Sequence, residues 1–229
     1  MSIELGQCRL VYRQYFPFWE KLTDEQRELL CANTGEFSYK KGTNIHGTSG
    51  NCTGAIMVIS GTLRAYLLSE NGKEITLYRY RPGEVCMLSA SCVLRSITFD
   101  VIIDAEEDSS VYIVRGDVMA KVAEDNLFVA NYALDNAVAR FSDVVWVMQQ
   151  IMFFSLDKRI AVFLWDEFSR TGSDTLSLTH EQIARYISSA REAVTRMLKY
   201  FAAEGIVELS RKGIKISDRE KLRELATGE

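Results

Sequence analysis

The sequence predicts an α+β protein: an N-terminal antiparallel β-domain, one long helix, and a C-terminal helix-turn-helix followed by a β-wing. Three observations carry this reading. Between residues 37 and 114, short runs rich in Val, Ile, Thr and Tyr alternate with glycine-containing turns, the pattern of an antiparallel sandwich or barrel. From Leu127 to Met152 apolar residues recur at alternating spacings of four and three, which a single helix lines up as one seam. Beyond residue 155, capped amphipathic helices alternate with short strands around a basic stretch. The expected division is a β-domain with an N-terminal helix over residues 1–125, a connecting helix over 126–154 and a C-terminal domain over 155–229.

The N-terminal domain opens on a short helix. Thr23 stands at its N-cap with Gln26 three residues on, a capping box. The runs at 55–61, 62–68, 74–80 and 111–114 read as strands. Asn71-Gly72 between two of them marks a tight hairpin, because that pair takes the positive φ angles the turn demands. In the long helix the seam is Leu127, Asn131, Leu134, Val138, Phe141, Val145, Met148 and Met152. At 1.5 Å per residue, about 26 residues extend roughly 39 Å, more than one monomer can cover, so a homodimer joined along this helix is expected. Val144, Trp146, Val147 and Ile151 lie off the seam, so the helix is expected to pack on its own protomer as well.

In the C-terminal domain Ser155, Thr179, Ser189 and Ser217 are expected helix caps, the last three with Gln182, Glu192 and Glu220 at the third position. Gly172 and Gly205 stand where helices stop. Residues 175–178 read as a short strand, and 206–209 and 214–216 as two more around the turn "SRKG". In "LTHEQIARYISSAREAVTRMLKYFAAEGIVELSRKGIKI", Ile183, Ala184 and Ile187 form the inner face of one helix. Val194, Met197, Leu198 and Phe201 form that of the next. The small residues Ser188, Ser189 and Ala190 permit a sharp turn between them. Arg191, Glu192, Thr195 and Arg196 then point outward near the start of the second helix, where a recognition helix meets base edges. Lys199, Arg211, Lys212 and Lys215 suit phosphates, as do Thr179, His180 and Ser189 beside them.

Composition limits the alternatives. Of 229 residues, 47% are hydrophobic and 25% charged, with two prolines, which excludes a disordered or low-complexity chain. The Met1 end lacks a basic segment leading into an apolar one. The longest uncharged apolar stretch, residues 144–156, is shorter than the roughly 20 residues of a bilayer span. A cytoplasmic location and no membrane association are expected. The net charge of −4 hides a division: residues 1–150 carry 14 basic and 19 acidic side chains, residues 151–229 carry 13 and 12. Within 179–215, seven basic residues stand against four acidic ones, a place for duplex DNA to dock. Cysteines at 8, 31, 52, 86 and 92 form no Cys-x-x-Cys, so a disulfide framework is not expected and buried thiols are. With two histidines, His46 and His180, neither a protein metal site nor a Cys–His nucleophile has good candidates. The other class of reading is a small-molecule-binding or thiol protein whose winged helix contacts protein. No catalytic constellation supports an enzyme.

The segment "SSAREAVTRML" is similar to the recognition helix of the catabolite activator protein/FNR (CRP/FNR) family of bacterial transcription regulators, and the resemblance covers nearly the whole chain. It implies a β-roll sensor resembling cyclic-nucleotide-binding domains, a dimerisation helix and a winged helix. It also implies Glu192 and Arg196 as base readers, Arg191 and Thr195 as further readers from two branches of the family, a palindromic operator, and contact with RNA polymerase. The sensor departs from the pattern. The family's Gly-Glu-Leu falls on Met87, Leu88 and Ser89, which lacks the ribose-binding carboxylate, while Arg95-Ser96 survives and is followed by Ile97. Cyclic AMP is therefore disfavoured, and the absence of an N-terminal cysteine cluster disfavours an iron–sulfur centre. The expected effector pocket involves Cys86, Leu88, Ser89, Cys92, Arg95 and Ser96. It would answer to an unidentified small ligand, to thiol redox chemistry, or to haem through His46 or a cysteine.

Overall fold

A computed structural model describes residues 5–47, 53–87 and 101–228. The chain opens with α1 (Leu5–Tyr15), a short 3-10 turn (Trp19–Lys21) and α2 (Asp24–Ala32). The strands β1 (Thr34–Tyr39), β2 (Asn44–His46), β3 (Ala55–Ser60), β4 (Leu63–Leu68), β5 (Glu74–Tyr80), β6 (Val85–Cys86), β7 (Ile102–Ala105) and β8 (Ser109–Val114) follow. They are joined by α3 (Gly116–Asp125) to the long helix α4 (Leu127–Phe153). The last part holds α5 (Leu156–Thr171), β9 (Thr175–Leu176), α6 (His180–Tyr186), α7 (Arg191–Ala203), β10 (Val207–Ser210), β11 (Gly213–Ile216) and α8 (Arg219–Thr227). The predicted α+β class is the one observed.

Among the described residues the first eight strands form two sheets, ordered β1-β8-β3-β6 and β2-β7-β4-β5. β8 lies antiparallel between β1 and β3, with Val114 opposite both Thr34 and Ala55. Strand period two explains why "AIMVIS" reads as an unbroken apolar run. Ala55 and Met57 join the cluster of α1, α2, α3 and α4, while Ile56 and Val58, on the opposite face, are buried as well. A turn forms at Asn71-Gly72, but of the pair only Gly72 takes a positive φ, +75°, and the Ser69 amide donates to the Lys73 carbonyl at 2.9 Å.

The chain divides into two compact units. The first ends within α4 at Val144, and the second begins at Val145 and takes in the hairpin tip Ser69–Thr76. In the second unit, Ile160, Leu164, Ile183, Val194, Leu198, Phe201, Ile214 and Leu222 form one core beside the sheet β10-β11-β9. Thr76 Oγ1 donates to the Arg185 carbonyl at 3.0 Å.

The capping boxes at Thr23 and Thr179 both form, each with its glutamine bonding back to the cap amide. Three other caps differ from expectation. Ser155 occupies its position without bonding a backbone amide, because its hydroxyl serves the Asp157 carboxylate and holds that group below the usual carboxylate range. Ser189 is displaced by Ala190 as N-cap of α7, since the turn before it uses both serines. Asp218, not Ser217, caps α8, and its carboxylate accepts from the Lys221 amide at 3.0 Å.

The expectation of unlinked thiols is corrected at one pair. Cys8 and Cys31 form a disulfide between α1 and α2, 23 residues apart in sequence and 5.7 Å apart at Cα. Two helices that bury facing cysteines bring about a proximity that no short spacing reveals. Cys86 is a buried thiol, and Cys52 and Cys92 lie outside the described residues.

Candidate nucleic-acid interface

The site is built on the turn between α6 and α7. Ile187 ends α6, and Ser188 takes φ +54°, a left-handed conformation unusual for a residue other than glycine. The Ser189 amide reaches the Ala184 carbonyl at 2.9 Å and the Ser188 amide reaches Arg185 at 3.3 Å. This paired pattern is a Schellman ending. From α5, Arg159 Nη1 donates to the Ile187 carbonyl at 3.1 Å, placing a cation at the negative end of α6. The sequence reading missed Arg159, because its partner is a backbone carbonyl 28 residues away.

With its start set by that turn, α7 buries Val194, Leu198 and Phe201 completely. The opposite face carries the predicted readers. Arg191, Glu192, Arg196 and Lys199 are exposed and Thr195 is half-buried. Glu192 and Arg196 make no hydrogen bond or ion pair among the described residues. Arg191 Nε stands 3.9 Å from Glu181 Oε2, and Arg185 stands at the same distance from the other oxygen of that carboxylate, an exposed network of small energetic weight. The Nδ1 atom of His180 is 3.0 Å from Thr195 Oγ1. Burial first, then the charges of Arg191 and Lys199, hold the His180 imidazole below its ordinary range. Thr179 is exposed and Ser189 half-buried at the mouth of the same turn.

In the wing, β10 pairs with β11 and β11 with β9. Arg211 and Lys212 are exposed at the β10–β11 turn, held by the Ser210 hydroxyl, which accepts the Lys212 amide at 3.2 Å and donates to the Gly213 carbonyl at 3.2 Å. Gly213 has φ +128°, and a Cβ there would lie 2.1 Å from the Leu176 carbonyl oxygen, so the close approach of β9 requires glycine. Lys215, expected to face phosphate, is exposed and pairs across the strands with Glu208 at 3.1 Å.

Along α4, Leu127, Leu134, Val138, Phe141, Met148 and Met152 are 53–78% exposed. Asn131 is exposed too, and Val145 is half-buried. Val129 and Ala133, on the other face, are buried against the N-terminal core. No helix among the described residues is long and apolar enough to cross a membrane.

Of the expected effector pocket, Leu88, Ser89, Cys92, Arg95 and Ser96 lie outside the described residues. Cys86, fully buried, stands beside a group that spacing alone does not assemble. The rings of Tyr78 and Tyr80 meet at right angles with centroids 4.8 Å apart, and the Arg140 guanidinium from α4 lies 5.0 Å from the Tyr78 ring. Arg140 also pairs with Asp143 at 3.1 Å. Burial, and then the neighbouring Cys86, push the Tyr80 phenol well up. His46 lies in β2, and its Nδ1 is 2.8 Å from Thr53 Oγ1. The N-terminal unit also buries Arg64, with its guanidinium 4.3 Å from the Tyr66 ring. An arginine within an apolar strand run gives no periodic sign of that.

Residues 158–225 match the Crp-like helix-turn-helix domain family. A solved structure from Eubacterium rectale, described as a transcriptional regulator of the Crp/Fnr family, is 47% identical. It covers 92% of this chain and 98% of its own, with a TM-score of 0.85. The Lacticaseibacillus casei protein assigned as transcriptional regulator flp is 24% identical over 221 residues, covering 92% of this chain and 95% of that one. FixK2 from Bradyrhizobium japonicum is 22% identical with a TM-score of 0.71, covering 85% of this chain and 98% of its own, and shares the fold.

Proposed function

Because this chain belongs to the Crp/Fnr family of transcriptional regulators, we propose that it works in the cytoplasm as a homodimer. Each protomer sets α7 into the major groove of one half of a palindromic operator. The observation that carries this reading is the division of α7 into two faces: Val194, Leu198 and Phe201 belong to the core of the domain, while Glu192 and Arg196 opposite them are exposed with no polar partner among the described residues. Arginine pairs bidentately with guanine and glutamate accepts from cytosine N4. Arg191 and Thr195 complete the reading face. Lys199, Thr179, His180, Ser189, Arg211 and Lys212 hold phosphates, which fix register without reading sequence.

The α4 seam supplies the dimer contact, and two half-sites about one helical turn apart match its symmetry. The N-terminal domain answers to a small ligand or a redox signal and shifts the balance between two arrangements of the reading helices. A ligand does this only through its different affinity for the two. Cys86, Tyr78, Tyr80 and Arg140 are the described groups that a ligand would meet, and neither cyclic AMP nor an iron–sulfur cluster is proposed. The chain catalyses no reaction in this reading, and its bound form engages RNA polymerase.

The test is selection from a random duplex library with the full-length protein. Enrichment of a palindrome that weakens steeply with added salt supports the reading. Recovery of no motif by reduced or by oxidised protein, with and without cell-extract small molecules, overturns it.

A further inference from the structure

We propose that Cys8 and Cys31 are a site of thiol–disulfide exchange whose state is felt by the dimerisation helix. The effect on DNA rests on the DNA-reading role proposed above, and the effect on association rests on the α4 homodimer of the same reading.

The disulfide joins the first two helices of the chain, and both sulfur-bearing residues are buried, Cys8 at 0% and Cys31 at 2% exposure. α1 is seated by one face only. Tyr12, Tyr15 and Phe16 point inward, while Leu10 on the other side is 69% exposed. Two polar contacts fix the inner face: Tyr12 Oη lies 2.6 Å from Thr34 Oγ1, and Tyr15 Oη donates to the Val58 carbonyl at 2.7 Å. A helix seated by one face at the margin of a domain opens more readily than the core elements. The bond to Cys31 is the one covalent cross-link from it to α2 among the described residues, beside the chain that joins them.

The seat of α1 also reaches α4. Phe16 and Phe18 present their ring planes edge-on to Tyr132, at 5.5 and 5.2 Å between centroids, and Val129 and Ala133 belong to the same buried cluster. On the same turns of the helix, the opposite face carries the exposed seam residues Leu127, Asn131 and Leu134. One stretch of α4 is therefore backed by the disulfide-linked helices and fronted by the dimer seam. Packed cores switch between discrete arrangements and do not deform smoothly, so loosening α1 alters the support of the seam.

The exchange balances without any metal. Starting from the dithiol, one cysteine loses its proton and attacks a low-molecular-weight disulfide RSSR, which gives a mixed disulfide and expels RS⁻. The second cysteine, deprotonated in turn, attacks the protein sulfur of that mixed disulfide and expels the second RS⁻. The two thiolates take up the two protons, so the protein dithiol is oxidised by two electrons and RSSR is reduced to two RSH. Reduction of the protein runs the same steps backwards. Because the sulfurs are buried, α1 must lift before either direction proceeds, which makes exchange slow compared with an exposed pair.

The experiment uses the full chain in oxidised form and after reduction by a phosphine. The Cys8–Cys31 state is read from alkylation masses, the dimer dissociation constant from sedimentation, and the affinity from anisotropy on the selected duplex. We expect reduction to weaken both dimerisation and operator binding by about tenfold, within the 5–150-fold range of ordinary coupling between sites. The double variant Cys8→Ser/Cys31→Ser should match the reduced protein and lose its response to phosphine. Should that variant fail to fold, the two states of the unmodified chain still decide the question. Equal dimer constants for the two verified states overturn the proposal, as does a redox response that persists in the folded double variant. If neither state binds any duplex, the proposed DNA function fails, and the dimer constants alone judge the exchange site.

Discussion

His180 and Thr195 meet at 3.0 Å through Nδ1 and Oγ1, so the first residue of one helix of the motif holds the outward face of the other. This contact has a titration consequence. The imidazole lies below its ordinary value of 6.5 because of burial and then the charges of Arg191 and Lys199, with Glu181 the nearby carboxylate that pairs with Arg191. A depressed pKa means that the folded state prefers the neutral ring. The associated stability is present above pH 6.5 and is lost as the pH falls through the folded pKa. Melting curves from pH 7.5 to 5 should show a steeper decline for the wild-type chain than for His180→Gln, and parallel curves would refute the assignment.

Replacing Arg196 by alanine should cost about 1–3 kcal/mol of operator affinity and relax the selected motif at one base position per half-site. Arg211→Ala should instead weaken all duplexes alike and lower the salt slope by about one. Anisotropy titrations at several salt concentrations separate the two effects.

The left-handed Ser188 is a point of local cost, and its buried hydroxyl finds no hydrogen-bond partner among the described residues. Ser188→Gly should raise the stability of the C-terminal unit by about 1 kcal/mol, because left-handed geometry penalises a Cβ by roughly that amount. Ser188→Val should lower it. Chemical denaturation measures both.

At Gly213 an added methyl group meets backbone. A Cβ 2.1 Å from the Leu176 oxygen must push β9 and β11 apart, and Gly213→Ala should destabilise by about 1–3 kcal/mol. Wing-dependent binding should weaken with it. Denaturant midpoints paired with anisotropy test this.

Along the seam, Phe141→Glu would set a charge where an exposed apolar side chain now stands, 68% open in the single chain. The dimer should dissociate at concentrations where the wild type is associated, with the fold of the monomer intact by circular dichroism. Sedimentation equilibrium decides it.

What the sequence discloses here follows the range of the interactions involved. The Thr23 and Thr179 caps are contained within four residues each, and both form. The inner faces of Ile183 in α6 and of Val194 and Leu198 in α7 are each set by the period of one helix, and the observed burial follows them. Ser189 misleads because the left-handed Ser188 shifts the turn by one residue and hands the cap to Ala190. The Cys8–Cys31 bond, the Arg159–Ile187 contact and the Tyr78–Arg140 pair each join separate elements. Their existence depends on how helices and strands dock, which no local spacing encodes.

The two-sided construction of α7 also bears on how such a protein changes over time. The residues that hold the domain together, Val194, Leu198 and Phe201, are buried, whereas Glu192 and Arg196 are exposed and make no hydrogen bond or ion pair among the described residues. Exposed substitutions of this kind ordinarily alter stability by less than about 0.5 kcal/mol. A gene copy could therefore acquire a new set of target promoters by a few changes on that face, while its ability to fold is inherited unaltered.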